Sequence, residues 1–263
     1  SNVLKIILKL DNPNILGIAL ETLKTAIKRN SGLIPDCLSI IKEQLNSQNR
    51  FIRRSSLRIF KTIAEQNPQL IEPYLDVIKE KTNAFSDIST QHDVLDVFAT
   101  IAKHNSKHII NHMDIIKEKL NSNYNSLKKT ALQILLTLSK DHPEVINNSM
   151  EAIQEKLSEF DADIRIAALQ LFTELAKQKS VLNNKHIKAI QEKLDDPCLM
   201  VGEAALQTLI TIAECYPELI NHEMEQTILK SNTNNGKQLA HTFIAFTAAN
   251  HSKHPQSLPG NRL

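Results

Sequence analysis

The phrase IIKEKLNS at residues 115–122 nearly repeats IIKEQLNS at 40–47, and VIKEKTN stands between them at 77–83. Aligned on this phrase, segments start at Leu38, Leu75, Met113, Met150, Ile187 and Met224, at spacings of 37, 38, 37, 37 and 37 residues. A shortened unit runs from about residue 3 to 37, where LDNP at 10–13 matches LDDP at 194–197. Self-similarity at one fixed length implies stacked supersecondary units, none able to bury its apolar face alone. That constraint excludes most compact folds before any single residue is considered.

Each unit reads as two helices. The first carries LSIIKEQL, LDVIKEKT, MDIIKEKL, MEAIQEKL or IKAIQEKL, whose apolar residues form a helical stripe. An invariant glutamate (Glu43, Glu80, Glu118, Glu155, Glu192) falls opposite that stripe and reads as a solvated outer ridge. The lysine after it (Lys81, Lys119, Lys156, Lys193) is expected to keep the ridge nearly neutral. The second helix reads IRRSSLRIFKTIAEQ, LKKTALQILLTLSKD, IRIAALQLFTELAKQ or VGEAALQTLITIAEC. Small residues at Ser56, Ala131, Ala168 and Ala205 allow close packing, and Leu57, Leu132, Leu169 and Leu206 follow them. Pro68, Pro143 and Pro217 suit a first helical position. Asn67 is placed to cap its helix, and Pro73 to kink it. With five glycines and no sustained period-two runs, strand signals are absent.

These features resemble the HEAT-repeat family within the wider armadillo-like superhelices, most plainly in DADIRIAALQLFTELAK at 161–177. The resemblance covers about residues 3–248. It implies an all-α, right-handed α-α superhelix of about six to seven 37-residue hairpins over residues 1–250. It also implies an Asp–Arg ladder between units. Asp161 with Arg165 matches that pattern, and Arg53 and Lys128 keep its basic half. Past Asn232 the pattern decays into a capping helix around 237–249. Residues 251–263, with two prolines and one glycine, read as a flexible tail.

Composition narrows function. Net charge is +2 with 23% charged residues, far from the basic excess of a dedicated nucleic-acid binder. Cys37, Cys198 and Cys215 are odd in number and form no CxxC, which argues against a disulfide framework or zinc knuckle. Inert thiols in a reducing compartment point to a cytoplasmic or nuclear setting. No glycine-rich phosphate loop, GxSxG, HExxH or Cys/His signature occurs, so no catalytic residues, cofactor or metal site are assigned. His104, His108 and His112 are spaced by four, but Asn105-Ser106 interrupts the helix and no acidic or cysteine ligand is interleaved.

The resemblance implies that second helices line a concave surface that binds partners. Two columns then face the groove: Glu21, Arg58, Asp96, Gln133, Gln170 and Gln207, and Thr25, Thr62, Thr100, Thr137, Glu174 and Thr211. Glutamine and threonine could meet an extended peptide or a helix. A threonine can equally bond its own i−4 carbonyl and border the core. Arg50, Arg54, Arg58 and Lys61 share one helical face, and no acidic residue occurs from Asn46 through Ala64. Like charges at helical spacing cost about 0.2–0.5 kcal/mol per pair, so an acidic neighbour across the stack or an acidic partner is expected to compensate. Lys24, Lys28 and Arg29 extend the patch. The leading expectation is a non-enzymatic scaffold or adaptor binding a protein partner. The alternative is a nucleic-acid-binding solenoid, either a simple phosphate-backbone binder using Lys128 and Lys129 as well, or similar to a bacterial DNA glycosylase family of this size and repeat type. The absence of tryptophan and the scarcity of stacking groups weigh against it.

Overall fold

The computed structural model describes residues 12–84, 87–180, 182–216, 219 and 226. The unit starts near residue 3 and at Met224, Pro217, the cap at 237–249 and the tail at 251–263 lie outside the described residues. Every regular element among the described residues is helical. The chain divides into two compact blocks, residues 1–138 and 139–263. The N-terminal block contains α1 (Pro13–Arg29), α2 (Ile34–Gln44), α3 (Arg50–Gln66), α4 (Leu75–Ala84), α5 (Ile88–His104), α6 (Lys107–Ile110) and α7 (Met113–Leu120). The division falls within α8 (Asn125–Asp141). The C-terminal block contains α9 (Met150–Glu155), α10 (Ala162–Lys177), α11 (Asn184–Gln191) and α12 (Leu199–Cys215).

Second helices pack on second helices: α1 on α3 and α3 on α5 in the first block, α10 on α12 in the other. Each first helix lies on its own second helix, α2 on α3, α4 on α5 and α11 on α12. The small-residue column makes this possible, because Ser56, Ala131, Ala168 and Ala205 are all fully buried. Leu20, Leu23, Leu57, Phe60, Leu95 and Phe98 fill one core, and Leu169, Phe172, Leu206 and Leu209 fill the other. Burying such a side chain contributes about 1.5–3 kcal/mol each.

Four second helices start where a side chain satisfies free backbone N–H groups, whereas α12 starts after Cys198 without such a cap. Asn12, Asn49, Asp87 and Asp161 cap α1, α3, α5 and α10. Such caps contribute about 1 kcal/mol each. Asn67 does not cap the following helix as expected. It ends α3 instead, its N–H donating to the Ile63 carbonyl at 2.7 Å, with no side-chain cap bond. Nor does Pro73 kink a continuous helix. The lead breaks into two 3-10 turns, Pro68–Leu70 and Glu72–Tyr74, before α4 begins at Leu75, because each proline tolerates only an N-terminal helical position. The short α6 and the 3-10 segment Pro143–Ser149 lead α7 and α9 in the same way.

The glutamate ridge is exposed at all five positions. The lysine column corrects the reading of the ridge: Lys81, Lys119 and Lys156 are buried rather than outward. Their stems pack under the hairpin loop while the ammonium finds a partner at its edge. Lys81 Nζ donates to Asn46 Oδ1 of the preceding loop at 2.7 Å, and Lys119 reaches Glu118 at 2.6 Å.

Neighbouring hairpins are joined by two recurring devices. In the first, Arg53 Nη1 donates to the carbonyls of Ser47 and Gln48, and Nη2 to Asp87 at 2.8 Å. Arg165 repeats this with the carbonyls of Glu159 and Phe160 and with Asp196 at 2.8 Å. The arginine thus pairs with an aspartate one hairpin on, while Asp161 caps its own helix. Burial pushes Asp87 up, but hydrogen bonds from Thr90 and Arg53 outweigh it and hold the carboxyl below its usual range.

The second device is a ring contact. Phe60 lies 5.5 Å from Tyr74, Phe98 5.5 Å from His112 and Phe172 5.6 Å from His186, centroid to centroid. Each joins a second helix to the start of the next first helix. Burial pushes His112 and His186 below the ordinary 6.5, with Lys185 adding to the effect at His186. At His112, Asp76 and Asp114 oppose that shift and Lys79 favours it. As pH falls through 6.5 the unfolded chain takes up protons that the folded chain resists, so stability drops. Protonation also removes His186 Nδ1 as acceptor of the Asn183 N–H in the α11 capping box. Denaturant midpoints in a pH series across this value should decline on the acid side. The decline should shrink in His112→Asn and His186→Asn, and equal slopes in all three proteins would refute it.

Candidate functional site

The α1, α3 and α5 face of the N-terminal block holds a groove of about 530 Å³. Arg54, Arg58 and Lys61 line it from α3, and Lys24 and Lys28 from α1. Asp93, Asp96 and His92 approach from α5, and Glu65 closes one end. Two of the three basic residues expected to extend the stripe, Lys24 and Lys28, do so. Arg29 lies instead in a separate depression with Gly32, Pro35 and Gln66. Arg50 is exposed at the α3 N-terminus, its guanidinium 4.9 Å from the Phe51 ring centroid.

The compensating charge is the next second helix. Arg54 Nε donates to Asp93 at 2.6 Å, and Lys61 pairs with Asp96 at 3.2 Å. Arg58 stands 3.9 Å from Asp93 and keeps 47% of its side chain exposed. Lys24 pairs with Glu21 on its own helix. Lys28 makes no ion pair with a described residue. Five cations thus stand with four carboxylates, Glu21, Glu65, Asp93 and Asp96, and most of the charge is neutralised within the wall. What remains for a ligand is a mixed surface whose accessible donors are Arg58 and Lys28.

His92, Asp93 and Asp96 form the one trio of metal-ligating types close enough to share an ion among the described residues. Their carboxylates already carry Arg54, Arg58 and Lys61 as counter-ions, so an incoming cation would meet three positive charges. The histidines at 104, 108 and 112 do not converge. His108 lies 3.0 Å from Glu72, His112 3.7 Å from Asp76, and His104 is exposed at the end of α5.

The two polar columns part company. Thr100, Thr137 and Thr211 each donate to the carbonyl four residues back, at 2.8, 2.9 and 3.0 Å. Thr62, Thr100 and Thr211 are buried. The threonines therefore border the core and offer little to a ligand. Gln133, Gln170 and Gln207 are exposed, and their side-chain amides make no hydrogen bond to a described residue. Sequence reasoning set Asp96 in the groove-facing column without pairing it to Lys61, and it missed Asp93, whose signal was its place one period after the arginine-rich face. It also missed the ladder aspartates Asp87 and Asp196, each of which stands just before a second helix.

No family model matches the sequence, and no curated protein matches it. Solved structures do. An engineered protein superposes with a TM-score of 0.65 at 17% identity, covering 94% of this chain and 67% of that one. A computationally designed armadillo repeat protein for modular peptide recognition gives 0.62 at 17%, over 80% of this chain and 98% of that one. A designed armadillo repeat protein in complex with the peptide (KR)4 gives 0.59 at 18%, over 79% and 98%. Together with the helix order and the layer of packed second helices, these likenesses identify the fold as an armadillo-like helical-repeat solenoid.

Proposed function

We propose that this chain is a non-enzymatic scaffold that binds a segment of another protein along its second-helix face. The observation that carries the reading is the pair of exposed amides at Gln170 and Gln207 on the packed helices α10 and α12, whose side chains make no hydrogen bond to a described residue. Amides spaced by one helix-packing distance, about 8–10 Å, can meet peptide groups two to three residues apart in an extended chain, each ordinary bond contributing about 0.5–1.5 kcal/mol net. Designed neighbours of this fold are described as recognising peptides, which supports the same use here. In the N-terminal block, Arg58 and Lys28 would receive a carboxylate of the bound segment, because Arg presents a planar fork to both oxygens. The mixed charge of that groove favours a protein segment over a phosphate backbone.

Affinity capture with the chain as bait tests this. Arg58→Glu and the Gln170→Ala/Gln207→Ala pair should each weaken the captured complex about tenfold or more, as loss of one central contact does. Glu118→Gln on the outer ridge should leave it intact. Retention by both inner variants, or loss with the ridge variant, would place binding elsewhere. Tight duplex-DNA binding that falls steeply with salt would replace this reading with the phosphate-backbone one.

A further inference from the structure

The C-terminal block displays large apolar side chains at one end of its second helices. Phe160 is 101% exposed, Leu199 53% and Met200 66%. Isolated exposed apolar residues are ordinary, but a group held together on rigid backbone is not. Register brings these three together. Thr208 Oγ1 lies 2.8 Å from Thr173 Oγ1 and 3.3 Å from the Leu169 carbonyl, so residue 208 stands level with a point between 169 and 173. The same register sets Met200 beside Asp163 and Pro197 beside Phe160, across α10 and α12, which pack directly on each other. Adjacent packed helices run about 8–10 Å apart, so the three side chains fall within the span of one bound helix.

The backbone beneath them is fixed. Arg165 clamps the carbonyls of Glu159 and Phe160 at 2.7 and 2.8 Å and reaches Asp196 at 2.8 Å. Asp196 in turn accepts the Cys198 N–H at 2.9 Å, one residue before Leu199. A single guanidinium therefore bolts the loop that carries Phe160 to the loop that leads into α12, whose first residues are Leu199 and Met200. Preorganised aromatic and aliphatic anchors of this kind lose little conformational freedom when a partner arrives.

The exposed charge beside the anchors is acidic. Asp163 and Asp195 are exposed and Glu203 is half-buried beside Met200 on α12. Neither Asp195 nor Glu203 forms an ion pair with a described residue. The Arg165 side chain is 12% exposed and its charge is spent on Asp196. Lys156, four residues before Phe160, is buried and paired with Glu159 at 3.6 Å, and Lys193 is half-buried two residues before Asp195.

From this geometry we infer a docking site, separate from the amide column, for a basic amphipathic helix of a partner protein. Its apolar face covers Phe160, Leu199 and Met200, and its lysines or arginines meet Asp195 and Glu203. Complementary charge selects a cationic partner and disfavours anionic lipid surfaces, whose headgroups these carboxylates repel.

The test is fluorescence anisotropy of the purified chain with a labelled amphipathic peptide bearing leucines at i and i+4 and lysines on the flanking positions. It should bind about tenfold or more tightly than the same peptide with serine for leucine or with glutamate for lysine. Phe160→Ser/Met200→Ser should lose about tenfold or more, and Asp195→Lys/Glu203→Lys should lose as much by charge alone. Glu155→Gln on the outer ridge should bind like the parent. Circular dichroism melts confirm that the exposed-site variants remain folded. Equal affinity for the glutamate peptide, or unchanged affinity in both double variants, would overturn the site. So would binding to anionic vesicles that the serine variant abolishes.

Discussion

Arg165→Ala lowers the unfolding free energy by about 3 kcal/mol, within the range for removing one partner of a buried pair. The side chain makes three hydrogen bonds that no water can replace cheaply, to the carbonyls of Glu159 and Phe160 and to Asp196. Without it, Asp196 keeps its charge at 5% side-chain exposure with only the Cys198 N–H still bound. An exposed ion pair would cost about 0–1 kcal/mol, so the measured loss discriminates between a structural clamp and a surface pair. The variant should also unfold less cooperatively. In a stacked array stability is a sum of hairpin terms and neighbour terms, and this residue sits in a neighbour term. Guanidinium denaturation followed by circular dichroism should show a lower midpoint and a shallower slope. Arg165→Met with Asp196→Asn should recover part of the loss, because no charge is then stranded. A single steep transition with a loss below about 1 kcal/mol would remove the clamp from the account.

How much of this was legible in the sequence follows from what each residue does. The period exposed the architecture because every hairpin solves the same burial problem: Leu57, Leu132, Leu169 and Leu206 repeat because each is fully or almost fully buried in the same kind of place. The small-residue column and the glutamate ridge were readable for the same reason. Partners across the stack were not. The charge on Arg54 and Lys61 is offset by Asp93 and Asp96, which lie more than 30 residues away, and even the repeat column that holds Asp96 does not say which cation it meets. The ladder was half visible, since Arg53 and Arg165 occupy a recognisable place in the second helix. Their acids occupy the loops before the next one, where Asp87 also reads as a plain helix cap. The buried lysines defeat a wheel projection because their stems and ammonium groups lie in different surroundings. The exposed face of the second helices is the least legible part. Gln170 and Thr211 look alike as polar residues facing a groove, and only the hydrogen bond from Thr211 to the Gln207 carbonyl separates them.

Phe172→Ala should be still more costly, at about 3–5 kcal/mol, the range for emptying a fully buried aromatic site. Phe172 is fully buried and its ring meets His186 at 5.6 Å, so the cavity opens between a second helix and the next first helix. Two neighbouring backbones would have to close it, and the α10–α12 layer fixes one of them. Phe172→Leu should cost about 1 kcal/mol, because shape changes that keep most of the volume are tolerated. The sequence already samples that exchange. The column reads Phe60, Phe98, Leu135, Phe172 and Leu209, and the facing column reads Tyr74, His112, Ser149 and His186. In each of the three described pairs a ring is matched by a ring. The double variant Phe172→Leu/His186→Ser should therefore lose less than the sum of its single variants, by about 0.5 kcal/mol or more, as expected for residues in contact. Strict additivity in that cycle would mean that the two rings do not act as one joint. The acid-side instability should also weaken in the double variant, since the titrating group at this joint is gone.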